Sequence, residues 1–180
     1  MDDTIPFASH EYFVMLALLL FARGMDFLST WIATPNLVLE GNPLVKKLGW
    51  KWGAGINLLL CFTFAAWPLP AIVISTSSVL VAARNFQSAW LMRSLGEEPY
   101  RNWHVERLQE TRITLYLLCL FAQTALLSGV GAALVFFTGG QLVSLAVGLG
   151  IIAYALAVAI YTLLSVWRIR RVRRHNAWDS

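Results

Sequence analysis

Charged and amide side chains are concentrated between residues 23 and 43 of this sequence. Arg23 and Asp26 lie three residues apart inside an apolar run, and Glu40 and Asn42 follow soon after that run ends. Residues three apart lie on one face of a helix, so Arg23 and Asp26 can form an ion pair. A charge in the hydrocarbon core of a membrane costs about 2.5 to 3.5 kcal/mol on insertion scales. The segment therefore predicts a polar cluster whose charges need partners, either within the fold or in a ligand.

Composition indicates a membrane protein around this cluster. The chain has 180 residues, of which 58% are hydrophobic and only 13% are charged, which excludes an ordinary soluble domain. The amino terminus lacks the basic region of a secretory signal, so we expect the first apolar segment to remain as a span. Cys61 and Cys119 show no metal-binding or disulfide spacing. We expect one integral membrane domain over residues 1–180.

The apolar segments predict an all-α, polytopic fold with about five transmembrane helices. About 20 helical residues cross a core of about 30 Å. Pro68 and Pro70 indicate a tight reversal between the second and third segments, because proline inside a helix removes a hydrogen bond. The predicted spans are 11–33, 53–67, 71–92, 113–137 and 142–167, with an amphipathic interfacial helix between spans 3 and 4 and a basic tail at 168–180. Small residues on spans 4 and 5, among them Gly129, Gly131 and Gly148, predict close approach of these helices. The main alternative has four spans, with spans 2 and 3 fused or re-entrant.

Basic residues define the expected orientation. On the five-span topology, the lysines and arginines outside the spans fall on one side, which the positive-inside rule places in the cytoplasm. We therefore expect an outside amino terminus, an inside carboxyl terminus and a location in the cell membrane, namely a bacterial inner membrane. A polybasic segment directly after a span favours anionic lipid as its partner, at about 1 kcal/mol per charge, and not nucleic acid. The residues expected to contact lipid are Arg168, Arg170, Arg171, Arg173 and Arg174.

Topology brings further polar residues to the depth of the charged pair in span 1. Asn57 of span 2 and Arg84 of span 3 fall at a similar depth, in the cytoplasmic half of the membrane. Helical periodicity gives spans 1 and 3 one polar face each, and we expect these faces to meet, with Asp26 and Arg84 as the core of the site. Tyr116 and Gln123 of span 4 would complete a pocket open to the cytoplasm. The polar face of span 3 consists of Ser77, Arg84, Gln87 and Ser88, and the candidate cluster consists of Arg23, Asp26, Thr30, Glu40, Asn42, Asn57, Arg84, Gln87 and Gln123.

The charge balance of the cluster leaves its role open. Arg23 and Arg84 against Asp26 alone leave one positive charge, whereas including Glu40 brings the sum to zero. A neutral cluster would be structural, while a surplus arginine suits an anion such as a lipid phosphate, because guanidinium groups match phosphate oxygens.

These observations favour a non-enzymatic membrane component. It would be a subunit of a membrane complex or homo-oligomer, or a protein that binds a lipid or an anion. One alternative is a small transporter or channel that uses the cluster. Another is an enzyme acting on a lipid phosphate at the inner leaflet, with Asp26 and Glu40 as acid, base or metal-binding carboxylates. We assign no catalytic residue and expect no metal or cofactor, since the histidines lie outside the spans or at their ends.

A signature in this region resembles a known family. The segment DFLST, which begins at Asp26, is followed by EGNP, which begins at Glu40. This D-x-x-S/T-T and E-x-N-P pattern is similar to that of short bacterial and archaeal membrane proteins of unknown function, over residues 20–60. Many of those proteins have asparagine in place of Arg23. The resemblance implies no activity, but it implies that Asp26, Thr30, Glu40, Asn42 and Pro43 form one unit.

Overall fold

The computed structural model describes residues 4–39 and 43–176, and this part of the chain forms six α-helices and no β-strand. The all-α prediction is therefore confirmed. The helices are α1 (His10–Ala33), α2 (Pro43–Phe64), α3 (Pro68–Leu95), α4 (Glu97–Glu110), α5 (Ile113–Phe136) and α6 (Leu142–Asn176).

Four of these helices are long and apolar enough to cross a membrane: α1, α3, α5 and α6. They support a multi-pass membrane protein. The helix that contains the predicted second span is not among them. Gly49 (φ 69°, ψ −178°) interrupts α2, and the helical part at 50–64 is about 22 Å long at 1.5 Å per residue. This length falls short of a core of about 30 Å.

Local sequence explains where the spanning helices begin. The Ser9 hydroxyl accepts a hydrogen bond from the Tyr12 backbone N–H at 3.2 Å and caps α1. Helix α3 begins at Pro68, where proline needs no N–H partner and its fixed φ suits the first turn. Gly96 separates α3 from α4 with φ at 87°, a backbone conformation that disfavours other residues.

Helix α3 is the centre of the packing. It contacts α1 on one side and α6 on the other, while α2 lies against α1, α5 packs on α6, and α4 contacts α3 and α6. Arg23 of α1 contacts Ser78, and Thr34 after α1 contacts Glu97 after α3, so α1 and α3 run in the same direction. The bundle thus has an α4 end and an opposite end. A core of Tyr12, Leu16, Leu19, Cys61, Ala65 and Ala71 lies towards the opposite end.

Glycines allow α5 and α6 to approach closely, as the sequence predicts. A Cβ atom on Gly131 would lie 2.7 Å from the backbone oxygen of Gly148, and one on Gly148 would lie 2.6 Å from the backbone oxygen of Gly131. A Cβ on Gly129 would meet no atom within 4 Å. Gly131 and Gly148 are therefore interface residues, whereas Gly129 faces away from the bundle.

Candidate functional site

Arg23 joins three helices through its guanidinium group. Nη1 donates to Asp26 Oδ2 at 3.0 Å within α1 and to Ser78 Oγ of α3 at 3.1 Å. Nε donates to Asn57 Oδ1 of α2 at 2.7 Å, and Nη2 donates to the same oxygen. The Arg23 and Asp26 side chains are 28% and 19% exposed. Arg23 therefore pairs with Asp26 within its own helix, a question that the sequence left open, and the ion pair lies between helices α1, α2 and α3.

The Asn57 amide is oriented for this contact. Its Nδ2 donates to the backbone oxygen of Gly53 one turn earlier at 2.8 Å, which leaves Oδ1 directed at Arg23. This part of α2 is held against α1 near its beginning, where the rings of Phe27 and Trp50 meet edge to face with centroids 4.8 Å apart. Helix α2 therefore supplies a hydrogen-bond acceptor to Arg23 although it is shorter than the membrane core.

A second group of hydrogen bonds lies about two turns nearer the α4 end. Asn85 Nδ2 of α3 donates to Ser29 Oγ at 3.2 Å and to Thr30 Oγ1 at 3.3 Å. Ser29 is fully buried, and its hydroxyl donates to the backbone oxygen of Asp26 at 2.8 Å. We use the name polar layer for Arg23, Asp26, Ser29, Thr30, Asn57, Ser78 and Asn85, which link α1, α2 and α3.

The face of α3 that meets α1 differs from the expected one. Ser78 and Asn85 lie on it, one residue after Ser77 and Arg84, which corresponds to a rotation of about 100°. Arg84 and Gln87 are exposed at the protein surface. Among the described residues, no carboxylate lies within 4 Å of the Arg84 guanidinium. The structure brings Arg23, Asp26, Asn57 and Thr30 together, and it places Arg84 and Gln87 outside their contact.

Arg84 lies instead on the side of α3 nearer to α5. Its charge interacts with the Tyr116 phenol of α5, and Gln123 lies two turns further along the same face of α5 and is exposed. Leu120, between them, is 8% exposed. Helices α3 and α5 both pack on α6, with little contact between each other in the described chain. We define Arg84, Tyr116 and Gln123 as the α3–α5 groove.

The Glu97 carboxylate at the beginning of α4 accepts four hydrogen bonds from the segment after α1. Its Oε2 accepts from Thr34 Oγ1 at 2.6 Å and from the Val38 N–H at 3.0 Å. Its Oε1 accepts from the backbone N–H and from Nδ2 of Asn36, both at 2.9 Å. Burial acts to raise the pKa of Glu97, but these four bonds outweigh it and hold the pKa below its ordinary value of 4.5.

The rest of the predicted Asp26–Pro43 unit is described only in part. Thr30 belongs to the polar layer and Pro43 begins α2, whereas Glu40 and Asn42 lie outside the described residues. The segment before them is held to α2 by Trp50, whose Nε1 donates to the Pro35 oxygen at 2.8 Å.

The basic tail continues α6 as a helix to Asn176. Arg170 Nη2 lies 3.4 Å from the backbone oxygen of Thr111, to which it donates. The Arg171 guanidinium lies 5.3 Å from the centre of the Trp167 ring, and Arg168 is exposed. The side chains of Arg173 and Arg174 lie outside the described part of the structure.

Several residues of these contacts were not among the predicted site residues, and Ser78, Asn85 and Glu97 are examples. Ser78 and Asn85 are seven residues apart, so a polar pair on one helix face was a usable signal. Glu97 gave no local signal, because its partners lie about 60 residues earlier in the chain. Within the described ranges, no three His, Cys, Asp or Glu residues are grouped to hold a metal ion.

No protein-family model, curated protein or solved structure matches this chain significantly. Its function must therefore be sought in its own geometry.

Proposed function

We propose that this is a non-enzymatic multi-pass protein of the cell membrane that binds a lipid phosphate, or another anion, at Arg84 in the α3–α5 groove. The observation that carries the proposal is the position of Arg84. Arg84 belongs to a long apolar helix, and its side chain is exposed at the protein surface. No described carboxylate lies within 4 Å of its guanidinium.

Electrostatics supports an anionic partner. An arginine at the bilayer centre costs about 2.5 to 3.5 kcal/mol on insertion scales, and Arg23 offsets its own cost with Asp26 and with two further helices. A phosphate would do the same for Arg84, because the planar guanidinium presents paired N–H donors that match phosphate oxygens. The Tyr116 hydroxyl and the Gln123 amide would add uncharged donors at the sides of the groove.

Depth supports the lipid phosphate in particular. Trp90, six residues after Arg84 on α3, is 69% exposed, and exposed tryptophans mark the level of the lipid head groups. Six residues correspond to about 9 Å along a helix. A long arginine side chain can extend along an apolar surface to bring its charge towards that level. The Arg84 guanidinium can thus reach a lipid phosphate near the level of the head groups.

The topology of the proposal follows the basic residues. The described lysines and the arginines of α4 and α6 belong to segments at the α4 end, so we infer that this end faces the cytoplasm, with the amino terminus outside. In this arrangement α2 is a fifth span, which is shorter than the others and packs against α1. The exposed Arg168 and Arg171 would meet anionic head groups of the same leaflet. The polar layer would support the fold, in line with the unit implied by the Asp26 to Pro43 signature.

The arrangement of Arg23 favours binding over transport or catalysis. Three of its nitrogens already donate to Asp26, Asn57 and Ser78, so a substrate passing the polar layer would have to displace these groups. A subunit role within a larger membrane complex is compatible with lipid binding at Arg84.

Native mass spectrometry of protein released gently from its membrane tests the proposal. We expect phosphate-bearing lipids to remain on the wild type and to be lost from Arg84→Gln. Arg93→Gln is the matched control, since it removes one exposed positive charge from the same helix, about two and a half turns nearer its end. Arg84→Lys keeps the charge without the paired donors and should retain an intermediate amount.

Two further measurements identify the anion. Adding inorganic phosphate to lipid-free protein in detergent should raise the melting temperature of the wild type, but not of Arg84→Gln, if a free anion suffices. Vesicles with phosphatidylglycerol should restore the lipid adduct if the head group is required. Equal lipid retention by wild type, Arg84→Gln and Arg93→Gln, with no phosphate effect, would contradict the proposal.

A further inference from the structure

We propose that the segment Thr34–Val38 is an anion-binding site that the Glu97 carboxylate of the same chain occupies, so that this carboxylate holds α4 to the end of α1. We call the segment the receptor and its contact with Glu97 the latch. This latch is independent of an anion at Arg84. It is a contact between two parts of the chain that the sequence separates by about 60 residues.

The donors of the receptor converge on both carboxylate oxygens. Each oxygen accepts one backbone N–H, from Asn36 or Val38, and one side-chain donor, from Asn36 or Thr34. Successive backbone N–H groups that point into one concavity form anion-binding sites in proteins. Bonds to an ionised carboxylate are stronger than bonds between neutral groups.

The receptor is held in shape by the chain around it. The Thr34 N–H donates to the Thr30 oxygen and ends α1, and the Leu39 N–H donates to Thr34 Oγ1 at 3.0 Å. Leu37, between the two backbone donors, has a positive φ of 57° and is 6% exposed. A positive φ is unfavourable for a residue that carries a side chain. The contacts around Leu37 must therefore maintain this turn.

Helix α4 has few other attachments. Leu108 is its buried residue, and Thr111 after its end accepts the Arg170 contact at 3.4 Å. The opposite side of α4 is exposed, including Arg101 and Trp103. At the beginning of α4, the Glu97 carboxylate joins this helix to the segment after α1.

Amide hydrogen exchange of the purified protein in detergent tests the latch, because the Asn36 and Val38 N–H groups are themselves the donors. We expect the peptide covering residues 34–39 to exchange about 10- to 100-fold faster in Glu97→Gln and Glu97→Ala, corresponding to the loss of one or two charge-assisted hydrogen bonds. Glu98→Gln, which neutralises the exposed neighbour on the same turn, should exchange as the wild type does.

Chemical rescue distinguishes an anion receptor from a packing contact. Acetate should slow the exchange of this peptide in Glu97→Ala, and acetamide at the same concentration should not, because only acetate carries the charge and two acceptor oxygens. Slow exchange in Glu97→Gln, or equal effects of acetate and acetamide, would overturn the proposal.

A further variant covers the case in which Glu97→Ala does not fold. Asn36→Ala removes one of the four donors at an exposed position and should accelerate exchange at the Val38 N–H by a smaller factor than Glu97→Gln. Unchanged exchange in Asn36→Ala would also count against the receptor.

Discussion

Arg23 and Arg84 are the same side chain in two apolar helices, and the fold treats them differently. Arg23 faces two other helices and donates to a carboxylate, an amide and a hydroxyl. Arg84 is exposed beside α5, and no described carboxylate reaches it. An arginine within a span is thus a structural crosslink where neighbouring helices supply acceptors, and a candidate binding group where they do not.

The difference arises because Arg84 lies one residue away from the face of α3 that meets α1. Ser78 and Asn85 on α3 meet α1, whereas Arg84, adjacent to Asn85, is turned by about 100° towards the groove. Arg84 lies six residues after Ser78, the α3 partner of Arg23, and thus about 9 Å nearer the α4 end. Both arginines belong to helices that are apolar enough to cross a membrane, and the side of the helix decides which neighbouring groups can offset the charge.

The largest expected effect is on the paired arginine. Arg23→Gln would remove the ion pair with Asp26 and would weaken contacts with α2 and α3, so we expect the free energy of unfolding to fall by about 3 kcal/mol. Tryptophan fluorescence during unfolding in detergent measures this loss. Combining Arg23→Gln with Asp26→Asn should cost less than the sum of the two single substitutions, because both remove the same ion pair. Strict additivity of the two substitutions would contradict the pairing.

The interface between α5 and α6 gives the next effect. Gly131→Val places side-chain atoms where even a Cβ would lie 2.7 Å from the Gly148 oxygen, and such overpacking costs about 1 to 3 kcal/mol. The shift of α5 should also reduce lipid retention at Arg84 while the Arg23 contacts persist. Gly129→Val is the matched control, since its Cβ meets open space. Equal melting temperatures of the two variants would rule out the close contact.

The carboxylate of Glu97 gives a smaller, pH-dependent effect. Its pKa is lowered in the folded state by four hydrogen bonds that outweigh burial, so its contribution is fully present above its ordinary pKa of 4.5 and is lost as the pH falls through the folded value. We expect Glu97→Gln to lower the unfolding free energy by about 1 to 2 kcal/mol at neutral pH. The gap between wild type and variant should close in acid, and a gap that is constant with pH would refute the charged contact.

The smallest effect on stability is expected for Arg84, which no carboxylate of the described residues reaches. Arg84→Gln in lipid-free detergent should change the unfolding free energy by less than about 0.5 kcal/mol, as for surface substitutions. Stabilisation by added anionic lipid, measured as a shift in melting temperature, should disappear in the same variant. A large loss of stability without lipid would make Arg84 a structural residue like Arg23 and remove the contrast between them.

Sequence periodicity was most informative about local features. It predicted the helical class and the close approach at Gly131 and Gly148, because these depend on residues within a few turns or on side-chain size. It left open whether Arg23 pairs within α1 or across to α3. The predicted second span, 53–67, is as short as the helical part of α2 after Gly49, and whether it crosses a membrane stays a prediction. Five spans, the orientation and the lipid partners remain predictions.

The candidate site could be predicted only in part. Asn57 was identified from its depth, and it does bind Arg23. Asn85 was missed although it shares a helix face with Ser78, because α3 carries polar residues on two adjacent faces and the pattern does not indicate which face meets α1. Glu97 was missed because its acceptor role needs the ends of α1 and α3 to be brought together.

The sequence by itself determined that charged residues lie within apolar helices and need partners there. The reason is that the cost of a charge in hydrocarbon depends on the residue type and on its position along a span. Only the tertiary structure decided that Arg23 is the arginine that pairs with Asp26, that Arg84 is exposed away from the described carboxylates, and that Glu97 holds the segment after α1. These outcomes depend on helix rotation and on contacts between distant residues, and the packing of α3 between α1 and α6 fixes both.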